Sequence, residues 1–160
     1  MKRYHLSKKE AKRLRAVLTQ LFNGVEAESY EVVEDRDYTL YLADREPIVY
    51  RDKEGRLVPL LYYLVRHRDL VEKLPRVVVD QGAVGPVSRG ADVMAPGIVD
   101  VRGEFEEGDV VVVVDEKHGM PIAVTVALFS SEQLRGMERG RVLKNVHHVG
   151  DKLWDLCKKL

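Results

Sequence analysis

The stretch from Pro75 to Gly97, PRVVVDQGAVGPVSRGADVMAPG, constrains what this chain can fold into more than any other. Val77, Val78 and Val79 form an apolar, β-branched run too short for an ordinary helix, so they read as a buried strand that Asp80 ends. Then come Gly82-Ala83, a segment closing at Ser88-Arg89-Gly90, Ala91-Asp92-Val93-Met94 and the breaker Ala95-Pro96-Gly97. That order predicts a strand, one or two helical turns, a glycine, a second strand and a tight turn. Gly82, Gly90 and Gly97 are expected where a side chain would obstruct close backbone approach or where φ must be positive. A loop of this kind exposes backbone N–H groups to a ligand.

Short apolar runs continue beyond it, from Ile98 to Val101, Val110 to Val114, Ile122 to Leu128 and Val142 to Val146, broken by Arg102-Gly103, Gly108-Asp109 and Lys117-His118-Gly119. Strands at this spacing remove exposed edges best by closing on themselves, which predicts a mixed β pseudo-barrel with one short helix after Asp80. Lys152 to Leu160 puts Leu153, Trp154, Leu156, Cys157 and Leu160 mostly on one side of a helix, a lid in which Trp154 acts as an anchor.

Ahead of this unit, Ser7 and Glu10 have the spacing of a capping box, opening a helix with Leu14, Val17, Leu18 and Leu21 toward the core and a stop at Asn23-Gly24. Its other face carries Lys8, Lys9, Lys12, Arg13 and Arg15. A face this one-sided is a candidate phosphate-facing patch, the alternative being a solvated helix surface. From Ser29 to Tyr50 the period changes to two, predicting short antiparallel strands, and Leu57 to Leu74 reads as a helix ended by Pro75. The tyrosines of these strands fit half-buried packing better than base stacking. The fold class is therefore α+β, with a small α+β domain over residues 1–74 and a pseudo-barrel domain with a C-terminal helix over 75–160. Leu70 to Pro75 contains no Gly/Ser/Pro-rich spacer, so the two units are expected to pack as a fixed pair.

With 45% hydrophobic and 32% charged residues, the 160-residue chain can bury a core and cover it with mixed charge. Its formal net charge is zero, so nucleic-acid binding requires an uneven distribution of charge. The single cysteine, Cys157, excludes an intramolecular disulfide and a cysteine-based zinc site and points to a reducing, cytoplasmic setting. No apolar run approaches membrane-spanning length.

Catalytic templates are missing: the sequence has no Gly-x-x-x-x-Gly-Lys-Ser/Thr, Gly-x-Ser-x-Gly or His-Glu-x-x-His. Asp80 fits a helix cap better than a base, and adjacent His147 and His148 point to opposite faces of a strand and cannot chelate one metal together. No catalytic residue, metal or cofactor is expected. Binding is better supported: glycines near Arg89 let the backbone reach sugar, phosphate or base edges, Arg89 supplies a phosphate contact, and Lys144, His147 and Lys152 extend a basic rim. Asp92 must face a base amino group or the protein's own amides.

These residues also carry a family resemblance. Val79-Asp80-Gln81-Gly82-Ala83 followed by Arg89 to Ile98 is similar to the signature of the PUA domain, an RNA-binding module named after pseudouridine synthases and archaeosine transglycosylases. Phe105 to Asp115 resembles its charged-Gly-Asp hairpin, and Gly140 to Trp154 its closing strand and Gly-Asp-x-x-Trp end. The whole chain, including Glu54-Gly55-Arg56-Leu57-Val58-Pro59-Leu60-Leu61-Tyr62-Tyr63-Leu64, resembles the malignant-T-cell-amplified-sequence family and the front half of ligatin, with residues 1–74 as the pre-PUA unit. It departs from the eukaryotic members in lacking their typical cysteine within Met94-Ala95-Pro96-Gly97.

The resemblance implies a non-catalytic RNA-binding protein that grips the acceptor (CCA) end of tRNA during translation initiation, re-initiation or ribosome recycling. Its site would comprise Gly82, Ala83, Ser88, Arg89, Gly90, Ala91, Asp92, Val93, Met94, Pro96 and Gly97. Its partners would be RNA, the small ribosomal subunit or a separate start-site-selection-domain protein. The alternative is an RNA-targeting subunit of a pseudouridine synthase or transglycosylase.

Overall fold

The computed structural model describes residues 1–23 and 25–160, so Gly24, half of the expected stop of the first helix, lies outside the described residues. The first unit comprises β1 (Lys2–His5), α1 (Lys8–Phe22), β2 (Tyr30–Glu34), β3 (Thr39–Ala43), β4 (Glu46–Arg51), β5 (Leu57–Pro59), α2 (Leu61–Leu64) and α3 (Arg68–Val71). Its strands form an antiparallel sheet in the order β1-β2-β3-β4-β5.

The capping box is present: Glu10 N–H donates to Ser7 Oγ at 3.2 Å, and Ser7 N–H donates to the Glu10 carboxylate at 3.4 Å. α1 ends at Asn23, which takes a left-handed φ of 53°. Leu14, Leu18 and Phe22 are its buried stripe, each stabilising the fold by roughly 2 kcal/mol through apolar burial. Val17, expected in that stripe, is 42% exposed; it lies at the stripe's edge, beyond the arc the sheet covers.

The helix expected over Leu57 to Leu74 is instead a strand and two short helices. Val58 precedes Pro59, and the proline ring disfavours helical backbone at the residue before it. Leu57, Val58 and Pro59 pair with Arg51, Tyr50 and Val49, and the chain turns helical only after Leu60. His67, at φ −132°, then separates α2 from α3.

The second unit contains β6 (Arg76–Val79), α4 (Gln81–Ser88), β7 (Val93–Met94), a 3-10 turn (Ala95–Gly97), β8 (Ile98–Arg102), β9 (Val110–Asp115), β10 (Pro121–Ala127), α5 (Ser131–Arg135), β11 (Arg141–His148) and α6 (Lys152–Lys159). The sheet runs β7-β11-β10-β9-β6-β8, antiparallel except for the parallel β6–β9 pair, and forms a curled half-barrel. The fold is thus α+β: a small antiparallel unit with its helices, then a mixed pseudo-barrel.

One apolar cluster runs through both units. It joins Leu18, Phe22, Leu40, Tyr50 and Leu61 to Val78, Val112, Val114, Val124, Leu153 and Cys157. A second cluster, with Val77, Val79, Val87, Val111, Val113 and Leu143, fills the inside of the half-barrel. The central strand β10 is buried along its whole length, as expected of a strand covered on both faces.

Candidate functional site

Asp80 caps α4, its carboxylate accepting the Ala83 N–H at 2.9 Å, while the Gln81 N–H donates to Glu116 at 3.3 Å. Two leading amides of this helix are therefore held by the chain's own carboxylates. Gly82 has helical backbone, and a Cβ there would lie 3.4 Å from Asp80, an ordinary contact, so neither reason for a glycine expected from the sequence applies. Gly97 does mark a close approach: a Cβ on it would lie 3.0 Å from that of Ala83. Gly90 meets both conditions, with φ +107° and the His148 ring 3.1 Å from where its Cβ would sit.

β11 pins the loop after α4. Asn145 donates through its side-chain amide to the carbonyls of Val87 and Ala91, both at 2.9 Å, and through its backbone N–H to Asp92 at 2.8 Å. Arg141 donates to the other Asp92 oxygen at 3.1 Å, and His148 Nδ1–H donates to Ser88 O at 3.1 Å and Val149 O at 2.9 Å. With both carboxylate oxygens engaged, Asp92 positions the loop and is not free to meet a base. Val93 is buried and pairs with Leu143, so its side chain also leaves the RNA-facing set.

The surface that remains consists of Gly82, Arg89, Ala91, Met94 and Pro96, all exposed, with Ala83, Ser88, Gly90 and Gly97 half-buried. Arg89 folds back over α4, its guanidinium 3.3 Å from where a Gly85 Cβ would be. Exposed Arg141 pairs in register with Met94, and Gly140 O accepts the Ala95 N–H at 2.8 Å, placing exposed Arg139 and Arg141 on either side of that contact. Arg139, Arg141 and Asn145 were not singled out from the sequence, and His148 was weighed there only beside His147 as a metal ligand. The run Arg139-Gly140-Arg141 was the available signal.

The expected basic rim does not assemble. His147 is fully buried, accepting the Leu61 N–H at Nε2, so it holds the fold and cannot face RNA. Lys144 neighbours Asn145, whose side chain reaches the loop; strand alternation puts Lys144 on the opposite face, paired with Val126. Lys152 is exposed in a hollow where it and Lys159 face three carboxylates, those of Asp35, Asp37 and Asp155, so the hollow carries no net positive charge to draw phosphate. The basic helix divides as well: Lys8, Lys12 and Arg15 line one cleft, whereas Arg13 lines another with Tyr41 and Arg51, on the side of α1 where the 3.6-residue period also places Lys9.

Asp80 is consumed as a cap, and burial, helped by the charge of Asp151, pushes the Cys157 thiol up to about 12. Among the described residues no group of three or more His, Cys, Asp or Glu is placed to hold a metal, and no helix is long and apolar enough to cross a membrane.

The PUA domain family matches residues 75–149, and a domain of unknown function, DUF1947, matches residues 2–67. An uncharacterized protein of Methanocaldococcus jannaschii is 40% identical over 96% of each chain. Translation machinery-associated protein 20 of Schizosaccharomyces pombe is 32% identical over 76% of this chain and 67% of its own. The chain belongs to this family of PUA-domain proteins. Malignant T-cell-amplified sequence 1 of Danio rerio, 29% identical over 69% of this chain, is a further relative, and the chain spans about three fifths of its length. Among solved structures, a hypothetical protein of Pyrococcus horikoshii superposes with TM-score 0.86 at 38% identity, covering 98% of this chain and 99% of its own. A PUA domain from Aeropyrum pernix, solved as a tartrate complex, gives 0.87 at 32% identity, covering 98% and 91%.

Proposed function

We propose that this protein is a non-catalytic RNA-binding protein of the translation machinery whose second unit grips the single-stranded acceptor end of tRNA. The observation that carries this reading is the turn at Gly90. Its positive φ, seated against His148, holds exposed Arg89 at the end of α4, while Asp92 and Arg141 tie the same loop to Met94. Arg89 and Arg139 supply the local positive charge that a molecule of zero net charge needs to meet phosphate, the charge of Arg141 being partnered by Asp92. Met94 and Pro96 offer an apolar surface to an unstacked base or ribose, whereas the Arg89, Gly90 and Ala91 amides, expected to face a ligand, donate to the carbonyls of Pro86 and Val87.

Membership in a family with relatives named for the translation machinery supports this setting. In this account residues 1–74 and 75–160 are two domains acting as one rigid, cytoplasmic body, with the small ribosomal subunit or a start-site-selection-domain protein as partner. Electrostatic contact through Arg89 and Arg139 is tested by Arg89→Gln and Arg139→Gln. Each lowers affinity for tRNA and reduces the slope of log affinity against log salt by about one. Folded variants that keep the parental affinity and slope overturn the assignment.

A further inference from the structure

A separate feature lies in the first unit, remote in sequence from the loop after α4. A cleft of about 490 Å³ opens between the N-terminal half of α1 and the segment entering β2. Lys8, Lys12 and Arg15 stand along its helical wall, and His5, Glu28 and Tyr30 are among the residues that line the rest. Helical geometry accounts for the cationic wall: residues 8, 12 and 15 fall within a narrow arc, about 60° wide at 100° per residue. Among the described residues, none of Lys8, Lys12 and Arg15 lies within 4.0 Å of a carboxylate oxygen, whereas Arg3, Arg56 and Arg102 all do.

Tyr30 supplies the independent observation. It is 3% exposed, lines this cleft, and its buried hydroxyl has no hydrogen-bond partner. The Arg15 guanidinium sits 5.5 Å from the centre of the Tyr30 ring. A buried hydroxyl left unpaired costs free energy; this one is closed to solvent, so an anionic oxygen relieves it only with a shift of the Arg15 side chain that lies over the Tyr30 ring. Unpaired cations converging beside an orphan donor form a receptor for a multivalent oxyanion. Glu28, also on the wall, repels a bare anion and accepts from a hydroxyl or amino group, which favours a phosphate carried on a hydroxylated body.

We propose that this cleft is a second, independent binding site, specific for the phosphate of a nucleotide, either free or at the end of an RNA chain. Lys8, Lys12 and Arg15 hold the phosphate, Tyr30 donates to one of its oxygens, and Glu28 accepts from the sugar.

The test is titration of the full chain with inorganic phosphate, adenosine 5′-monophosphate and a short 5′-phosphorylated single-stranded RNA, followed by backbone amide NMR shifts at low salt. Shifts confined to Lys8–Arg15 and Glu28–Tyr30 are expected, with the monophosphate binding more tightly than inorganic phosphate. If the monophosphate matches the RNA, the ligand is a free nucleotide; if the RNA is at least tenfold tighter, it is an RNA end. Lys12→Gln with Arg15→Gln lowers affinity at least tenfold, and Lys9→Gln with Arg13→Gln less than twofold. Tyr30→Phe removes only the orphan oxygen, so it weakens phosphate binding several-fold without lowering the melting temperature. No shift with any of the three probes, or equal losses from the two double variants, overturns the proposal. Arg89 and Arg139 variants bind phosphate here unchanged, so failure of this site and failure of the acceptor-end reading are distinguishable.

Discussion

His147 Nε2 accepts the backbone N–H of Leu61 at 3.1 Å, a bond that spans 86 residues of sequence and joins the two units. Because that nitrogen accepts, the proton lies on Nδ1, which donates to Asp151 Oδ2 at 2.8 Å. The ring lies edge-on to Tyr50, with centroids 6.0 Å apart, inside the cluster the two units share. One imidazole thereby fixes α2 of the first unit against β11 and α6 of the second.

His147→Ala leaves the Leu61 amide without a buried partner and opens a cavity, costing about 3 kcal/mol. Urea unfolding followed by tyrosine fluorescence and by circular dichroism checks this. Because the apolar cluster is continuous, the parent shows one coincident transition by both probes. A loss below about 1 kcal/mol contradicts the role given to the bond.

Acid should unfold the protein partly through Asp151. Burial raises its pKa, but the hydrogen bonds from His147 and from the Trp154 and His148 amides outweigh burial and hold it below the ordinary carboxylate value. Glu31, bonded by Arg3, is lowered as well. For groups depressed in the folded state, the stabilisation is present above the unfolded pKa of about 4 and is lost as pH falls through the lower folded value. Asp151→Asn therefore flattens the fall in stability below pH 4. A pH profile identical to the parent's rules out this contribution.

Gly90→Ala places a side chain at φ +107° against the His148 ring, with an expected cost of about 1–3 kcal/mol. The same change shifts Arg89, so tRNA affinity falls at temperatures where the variant remains folded. Gly82→Ala, by contrast, introduces only ordinary contact in a helix and leaves both properties within error or slightly raises stability.

Cys157 is buried, with its thiol pushed up to about 12, so little thiolate forms at neutral pH. Alkylation by iodoacetamide at pH 8 is expected to be orders of magnitude slower in the folded protein than in urea. Comparable rates in the two states contradict the packing of α6.

Local signals were the legible ones. Ser7 with Glu10 and Asp80 with Ala83 act within a few residues, and the structure keeps both caps. Long-range context decided the rest. His147 looked like a basic rim residue because its acceptor role depends on an amide 86 residues away. Asp92 was read with its two alternatives open, and only the arrival of Asn145 and Arg141 from β11 selects the internal one. The missed strand β5 had a local cause in view, the proline after Val58, which the leucine spacing of the following residues outweighed. β1, a charged edge strand, carries no apolar alternation at all and becomes visible only through its pairing with β2.

The most direct test of the central claim is binding of unfractionated tRNA across a salt series, comparing intact tRNA with tRNA trimmed of its CCA end. A salt-dependent affinity that drops at least tenfold on trimming, and no longer responds to Gly90→Ala once trimmed, is the predicted result. Equal affinity for intact and trimmed tRNA contradicts it.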